Sequence, residues 1–441
     1  MTFKLLATIE QAFSKLHKGG NDHPLPQQLT FELPKNRPFL SGSSLQALYP
    51  QACFFNREGR KFWGVGALKR YNSRSELANG IKQLNRDKET TDQWIIGGRS
   101  FTGLPTSSSE WREYGEYLFF LPRFALEQDS NGQGHLTINF QDETVAILPR
   151  LYEQLTTLLT SNPTATMPNS TRLEYLPGQE EFEQLVNQGV DQIIQNKLQK
   201  YVLARKVVKD FDAPIPYDSV VQQLMEQKRP GSYLLFIAPS PQSCFISQTP
   251  EQLFSLNDDH LLTEALAGSR PAGRSPQADQ QLGAELLDSA KDATEHQLVN
   301  QHLDMVLAKF CHSHRSVAKR ELLNLGYIQH LRTRWEGRVI KHFNLLDFLD
   351  QIHPTPALGG IPLKPALEII EDQEHFPRGL YGSPIGIISS DYSELAVGIR
   401  SLLIDREQMH LFAGVGVVAK SQGALEWQES KEKLHIFSDI L

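Results

Sequence analysis

The sequence predicts a mixed α/β protein, on three observations. With 441 residues, 40% of them hydrophobic, the chain has enough apolar material for a large core, arranged as one large unit with an attached region or as several domains. Short apolar runs bounded by Pro, Gly, Asn and Ser recur along it, as strands do. Between them lie longer stretches with apolar residues at helical spacing.

Taken in order, residues 1–17 read as an amphipathic helix, because Lys4, Glu10 and Lys15 interrupt the apolar residues; a signal peptide would need an unbroken apolar segment. Residues 61–68, 93–96 and 117–121 read as strands, so residues 1–160 are expected to contribute to a sheet scaffold. Gly64-Val65-Gly66 lacks the third glycine of a phosphate loop. Residues 151–159 are an apolar-periodic helix. Residues 161–178, rich in Ser, Thr, Asn and Pro, read as a linker. The second region, 179–441, opens with a helix over 179–199 whose buried stripe is Phe182, Leu185, Val186, Val190 and Ile193. Strands follow at 233–238, 244–248 and 260–266, then one long helix over 276–308. A short helix at 345–352 ends at His353-Pro354-Thr355-Pro356, where proline forbids continuation. Strands at 384–388, 395–404 and 410–418 precede a last helix from about residue 422.

The balance of 44 basic and 51 acidic residues, net −7, lacks the basic excess of a general nucleic-acid binder. Cys53, Cys244 and Cys311 are odd in number and far apart, which suits a reducing compartment. No apolar run approaches the roughly 18 residues of a membrane span. The expected location is the cytoplasm.

Two acidic groupings stand out. Asp288, Asp292 and Glu295 are spaced to share one helix face, and Glu426, Glu429 and Lys433 stack in the same way on the last helix. A charged helix face is usually only solvated. Two such faces brought together would form a carboxylate-only metal site, and oxygen ligands without Cys or His select Mg²⁺ rather than Zn²⁺. Ala267-Gly268-Ser269-Arg270 and Ala413-Gly414-Val415-Gly416-Val417 put glycines in strands, which marks either a bulge or a backbone that a ligand approaches. Arg400, in a strand, and Lys433 could add cations for carboxylates. Lys200 stands where helix gives way to strand, as a surface charge or as an amine held at a cleft. His330 and His353 are core or cleft histidines, and Cys311-His312-Ser313-His314 has no partner pair at zinc spacing. The residues alone reach an anion-binding, Mg²⁺-using α/β enzyme.

Residues 179–441 resemble the chorismate-utilising enzymes. That family includes isochorismate synthases, salicylate synthases and the large subunits of anthranilate and aminodeoxychorismate synthases. The motifs are Lys200-Tyr-Val-Leu-Ala-Arg205, Thr249-Pro-Glu251, Ala267-Gly-Ser-Arg270, Lys291-Asp-Ala-Thr-Glu295-His296, Gln329-His-Leu331, His353-Pro-Thr-Pro-Ala357, Gly398-Ile-Arg400, Ala413-Gly-Val-Gly-Val417 and Glu426-Trp-Gln-Glu429-Ser-Lys-Glu-Lys433. The first 160 residues resemble the family only loosely. Lys200 resembles the general base of the water-adding members, and Ala357 resembles isochorismate synthases. Arg270-Pro271 is closer to the anthranilate and salicylate members.

The resemblance implies an α+β fold: a two-layer sandwich of large, mostly antiparallel sheets with outer helices and a cleft between the halves. It implies an isomerase that converts chorismate to isochorismate, as in menaquinone, phylloquinone or siderophore biosynthesis. Mg²⁺ would be held by Glu295 and Glu429 with Asp292 behind them. Gly268, Ser269, His330, Ala357, Arg400, Gly414, Gly416 and Lys433 would bind substrate. Lys200 would take a proton from the water that attacks C2, and Glu251 would protonate the departing C4 hydroxyl. That chemistry requires a neutral amine and a protonated carboxyl, and burial favours the uncharged form of each. Salicylate formation with loss of pyruvate, and amination, are the alternatives; Ala357 speaks against the first and Lys200 against the second. No amidotransferase partner, nucleic acid or membrane is implied.

Overall fold

The computed structural model describes residues 2–18, 24–33, 35, 48–87, 91–102, 108–160, 166–195, 198–227, 229–273, 275–317, 320–326, 328–434 and 437. Among them 20 strands join in one ladder. From one end it runs through Ile328–Val339, His260–Pro271, Gln252–Asn257, Tyr392–Val397 and Pro384–Ser389, all antiparallel. It continues through Trp94–Arg99, Tyr117–Gln128 and Lys61–Tyr71. It then passes Gln51–Phe55, Tyr233–Ser240, Ser243–Thr249 and Ser401–Asp405 to Gln408–Val417 and Lys200–Phe211, whose far edge carries the short strands Ser170–Leu176 and Gly360–Ile361. Strands from the first 160 residues are therefore the middle of the ladder, between its two later-sequence ends.

Side-chain alternation folds this ladder into two facing layers. On Ser243–Thr249, Phe245 joins one apolar cluster while its neighbours Cys244 and Ile246 join another. On Trp94–Arg99, Trp94 and Ile96 take the inner side and Ile95 the outer. The inner cluster combines Ala204, Phe245 and Phe412 from one half with Ile96, Ile385 and Ala396 from the other. A single core thus sits between two sheets, and each fully buried Phe or Ile in it stabilises the fold by about 1.5–3 kcal/mol. Helices cover the outer faces: Thr2–His17 and Leu148–Thr160 on one, Arg74–Asp87, Ala290–Phe310 and Leu345–Ile352 on the other. Gln179–Ile194, Leu363–Gln373 and Gly423–Leu434 pack around Lys200–Phe211. The α+β sandwich implied by the resemblance is the observed architecture.

Four local expectations differ from the structure. The helix expected over 276–308 is two, Pro276–Asp288 and Ala290–Phe310. Ser289 leaves the helical region at ψ 115° and its Oγ accepts the Asp292 N–H at 3.2 Å, an N-cap that starts a new helix. Asp288 therefore does not share a helix with Asp292 and Glu295. The helix expected over 179–199 stops at Ile194. Of the expected linker, 161–165 lie outside the described residues, and Ser170–Leu176 is a strand paired to Lys206–Phe211. The strand expected over 395–404 is broken between Val397 and Ser401, and Arg400 sits in the break at φ +49°. No helix among the described residues is long and apolar enough to cross a membrane. The three cysteines are buried and unpaired.

Candidate active site

The two ends of the ladder face each other across a cavity of about 360 Å³. One wall comes from Gln408–Val417 beside Lys200–Phe211, the other from His260–Pro271 beside Ile328–Val339. The N-terminal part of helix Ala290–Phe310 and helix Gly423–Leu434 close one side. Glu251, Gly268, Ser269, Asp292, Glu295, His330 and Ala357 line the cavity, as do Arg400, Gly414, Gly416, Glu429 and Lys433. Lys200 lies immediately behind this lining, joined to it through Glu295: Nζ to Oε1 is 2.6 Å. Residues up to 233 positions apart in sequence thus meet as the resemblance implied, Lys200 being the first and Lys433 the last.

Local backbone geometry explains several of these residue types. Gly268 interrupts its ladder with a bulge at φ +80°, and a Cβ there would stand 3.0 Å from the Asp292 Cβ. At Gly416 a Cβ would lie 2.7 Å from Glu295 Oε1 and 3.0 Å from Lys200 Cε. Glycine there leaves room for the Lys200–Glu295 pair to cross the strand. Arg400 is a non-glycine residue in the left-handed region, uncommon and costly, at a position that lines the cavity. At Gly414 the paired group is the carbonyl, which accepts from Lys433 Nζ at 2.8 Å.

Glu251 occupies the turn between Ser243–Thr249 and Gln252–Asn257. Its N–H donates to Thr249 Oγ1 at 3.1 Å, and its carbonyl accepts from Val397 N–H at 3.0 Å. Burial pushes its carboxyl up to about 8, Glu264 adds to the effect, and Lys200, Arg57 and Lys433 oppose it. Its protonated form is thus favoured at neutral pH. Lys200 is fully buried and ion-paired to Glu295. His330 is pushed down to about 3 by burial and by Arg400 and Lys433, so it is neutral. Its Nδ1 meets Ser269 Oγ at 2.8 Å, and its Nε2 is buried without a hydrogen-bond partner among the described residues. His353 is not part of the cavity: its Nε2 meets the Gly382 carbonyl at 2.8 Å, a core position.

The acidic end of the cavity is electrostatically crowded. Glu429 pairs with Lys433 at 2.8 Å, Glu426 with Lys291 at 2.8 Å and Asp292 with Arg270 at 2.9 Å. Burial would raise Glu429, but Lys433, Lys291 and Arg400 bring it down to about 2, so it is an anion. Burial works against the Lys291 ammonium, yet Glu426, Glu429 and Glu295 outweigh it and raise its pKa. One cation thus already sits among three carboxylates. Among the described residues no three His, Cys, Asp or Glu side chains converge closely enough to cage a metal. The donor set still suits Mg²⁺, which commonly takes one or two carboxylates and completes its shell with water and substrate.

Sequence reading missed part of the site. Lys291 stood in a recognised motif without a role. Arg378, held by Glu374 at 2.5 Å, and Tyr381 also line the cavity, but no spacing links them to it.

The fold and this cavity define a chorismate-binding enzyme. Residues 44–441 match the model of the family described as chorismate binding enzyme, and the chain belongs to that family. It is 30% identical over 352 residues to isochorismate synthase MenF of Bacillus subtilis (strain 168), covering 77% of this chain and 73% of the relative. With isochorismate synthase MenF of Haemophilus influenzae it shares 30% identity over 446 residues, 97% of this chain and 96% of the relative. Among solved structures, MenF, the menaquinone-specific isochorismate synthase from Escherichia coli, superimposes with a TM-score of 0.86 at 24% identity over the whole of both chains. Anthranilate synthase component I from Streptococcus pneumoniae TIGR4 does so with a TM-score of 0.68 at 17% identity, over 93% of this chain and 91% of that one. These two likenesses speak to the fold.

Proposed function

We propose that the chain is an isochorismate synthase, isomerising chorismate to isochorismate. The arrangement that supports this most directly is a buried lysine, Lys200, immediately behind a cavity lined by Glu251, whose carboxyl burial pushes up to about 8, and by Arg400 and Lys433. Lys200 takes a proton from a water molecule, and that oxygen bonds to C2 of the ring. The double bonds shift, the C4–O bond breaks, and Glu251 gives its proton to the departing hydroxyl, which leaves as water. Hydroxide is a poor leaving group, so the acid is indispensable. Arg400 and Lys433 hold carboxylates of the substrate, while neutral His330 and Ser269 offer uncharged hydrogen bonds. Glu295 and Glu429 would hold Mg²⁺, which would neutralise a substrate carboxylate; Asp292 supports them from its pair with Arg270. Glu295 Oε1 also holds Lys200 Nζ at 2.6 Å and so places the base beside the cavity. Three buried cysteines without a disulfide are in keeping with a cytoplasmic location.

Chromatography of the products formed from chorismate and Mg²⁺ tests the reading. Isochorismate alone is expected. Salicylate with pyruvate would make the chain a salicylate synthase, and no conversion would refute the assignment.

A further inference from the structure

Four consecutive backbone groups around Glu251 are each held by a named partner. Two of those partners belong to a single buried ion pair outside the cavity lining. Arg57, in the turn after strand Gln51–Phe55, donates through Nη2 to the Pro250 carbonyl, one residue before Glu251. Glu264, on His260–Pro271, accepts the Gln252 N–H through Oε1 at 3.2 Å, one residue after it. The two side chains bind each other through both carboxylate oxygens, Nη1 to Oε2 at 3.0 Å and Nη2 to Oε1. Glu264 is 3% exposed and Arg57 16%. Next to them Gln252 Nε2 donates to Glu394 Oε1 at 3.0 Å and Asn56 Nδ2 to Glu394 Oε2 at 3.0 Å, so the turn bearing Arg57 is itself tied down.

We propose that Arg57 and Glu264 are a positioning pair that locks the peptide carrying Glu251 in place for proton donation, a role resting on the assignment of Glu251 as the acid. It gives the first 160 residues a part in the reaction: they supply the arginine that grips the acid's own peptide. A bidentate guanidinium–carboxylate pair is rigid, and each partner also binds one of the two peptide groups that flank Glu251. The pair also acts through charge. Glu264 favours the protonated Glu251 carboxyl, whereas Arg57, Lys200 and Lys433 disfavour it; Tyr381 is the other titratable group in its field. The position of Glu264 between Arg57 and Glu251 therefore tunes the acid as well as fixing it.

Two substitutions separate charge from mere structure. Glu264→Gln keeps the volume and an acceptor for Gln252, but leaves Arg57 unopposed. The infrared band of the protonated Glu251 carboxyl, identified by its absence in Glu251→Gln, is expected to titrate about one pH unit lower, and the alkaline limb of kcat to move with it at unchanged KM for chorismate. Arg57→Met removes the opposing cation and is expected to move the band the other way. Midpoints that stay put, or that move in the same direction in both variants, would overturn the proposal. Should Arg57→Met fail to fold, Arg57→Lys retains the charge without the fork. It is expected to leave the midpoint in place and to lower kcat at least about tenfold, because the acid's peptide is no longer gripped; an unchanged kcat would overturn the locking role. The band titrates without substrate. Shifts as expected in a protein that makes no isochorismate would refute the activity assigned above and leave the electrostatic pairing standing.

Discussion

Replacing Glu251 with Gln should cripple turnover and at the same time make the fold more stable than wild type as the pH rises. The carboxyl sits near 8 in the folded protein against 4.5 for an ordinary glutamate, because burial penalises its charged form. The folded state therefore binds this proton more tightly than the unfolded chain does. Its contribution to stability is complete below about pH 4.5, is lost as the pH rises from there to about 8, and changes no further above that. The difference, 8 − 4.5, is 3.5 pH units, or about 5 kcal/mol at about 1.36 kcal/mol per unit. The full cost is reached only above the folded value: it is about 1 kcal/mol at pH 5, about 3 at pH 7 and about 5 at pH 9. Glutamine has nearly the same shape and nothing to ionise. Relative to wild type, Glu251→Gln should gain about 4 kcal/mol between pH 5 and pH 9, read from the midpoints and slopes of urea unfolding. Its rate of isochorismate formation should fall by about 10²–10⁴-fold, the usual worth of a proton transfer. A stability margin that stays flat with pH would refute the buried, protonated carboxyl. A variant that keeps wild-type turnover would refute its role as acid.

Lys200→Ala should lose turnover by a similar factor of about 10²–10⁴ while circular dichroism still reports the folded sheet; substantial isochorismate formation would remove Lys200 from the role of base. Chelation should silence the wild type and added Mg²⁺ restore it, whereas Glu295→Ala should show neither activity nor Mg²⁺ dependence; a fully active variant in chelator would dispose of the metal site. Gly416→Ala puts a Cβ 2.7 Å from Glu295 Oε1, so it should displace the Lys200–Glu295 pair and lower kcat by about 10²-fold, as small misplacements of catalytic groups do. Full activity in steady-state kinetics would show that the pair need not cross that strand.

What the sequence reveals and what it hides follow from how far each interaction reaches along the chain. Lys200-Tyr-Val-Leu-Ala-Arg205 and Ala413-Gly-Val-Gly-Val417 are legible because each is a buried strand, written in consecutive apolar residues with its functional positions inside it. Ser170–Leu176 is not, because most of its side chains are exposed, and its hydrogen bonds to Lys206–Phe211 leave no hydrophobic trace. The break at Ser289 is hidden by leucines that keep helical spacing on both sides of it; the serine declares itself only through the Asp292 N–H it caps. At Arg400 the residue type points to anion binding, but nothing in Gly398-Ile-Arg400 announces a left-handed backbone. Arg57 lies deepest. It reaches Pro250 across 193 positions and Glu264 across 207, from a turn whose own composition is that of any exposed hairpin end. The pattern separates two kinds of catalytic requirement. Of the groups proposed to act on substrate, Lys200, Glu295 and Glu429 sit in strands and helices whose periodicity can be read locally. The groups that fix the acid's charge and orientation are chosen by the closure of the sandwich, which brings a turn of the first 60 residues against the peptide of Glu251. The first region is therefore part of the environment of Glu251, and exchanging the turn that carries Arg57 should alter the pH dependence of the chemistry even where every motif of residues 179–441 is left intact.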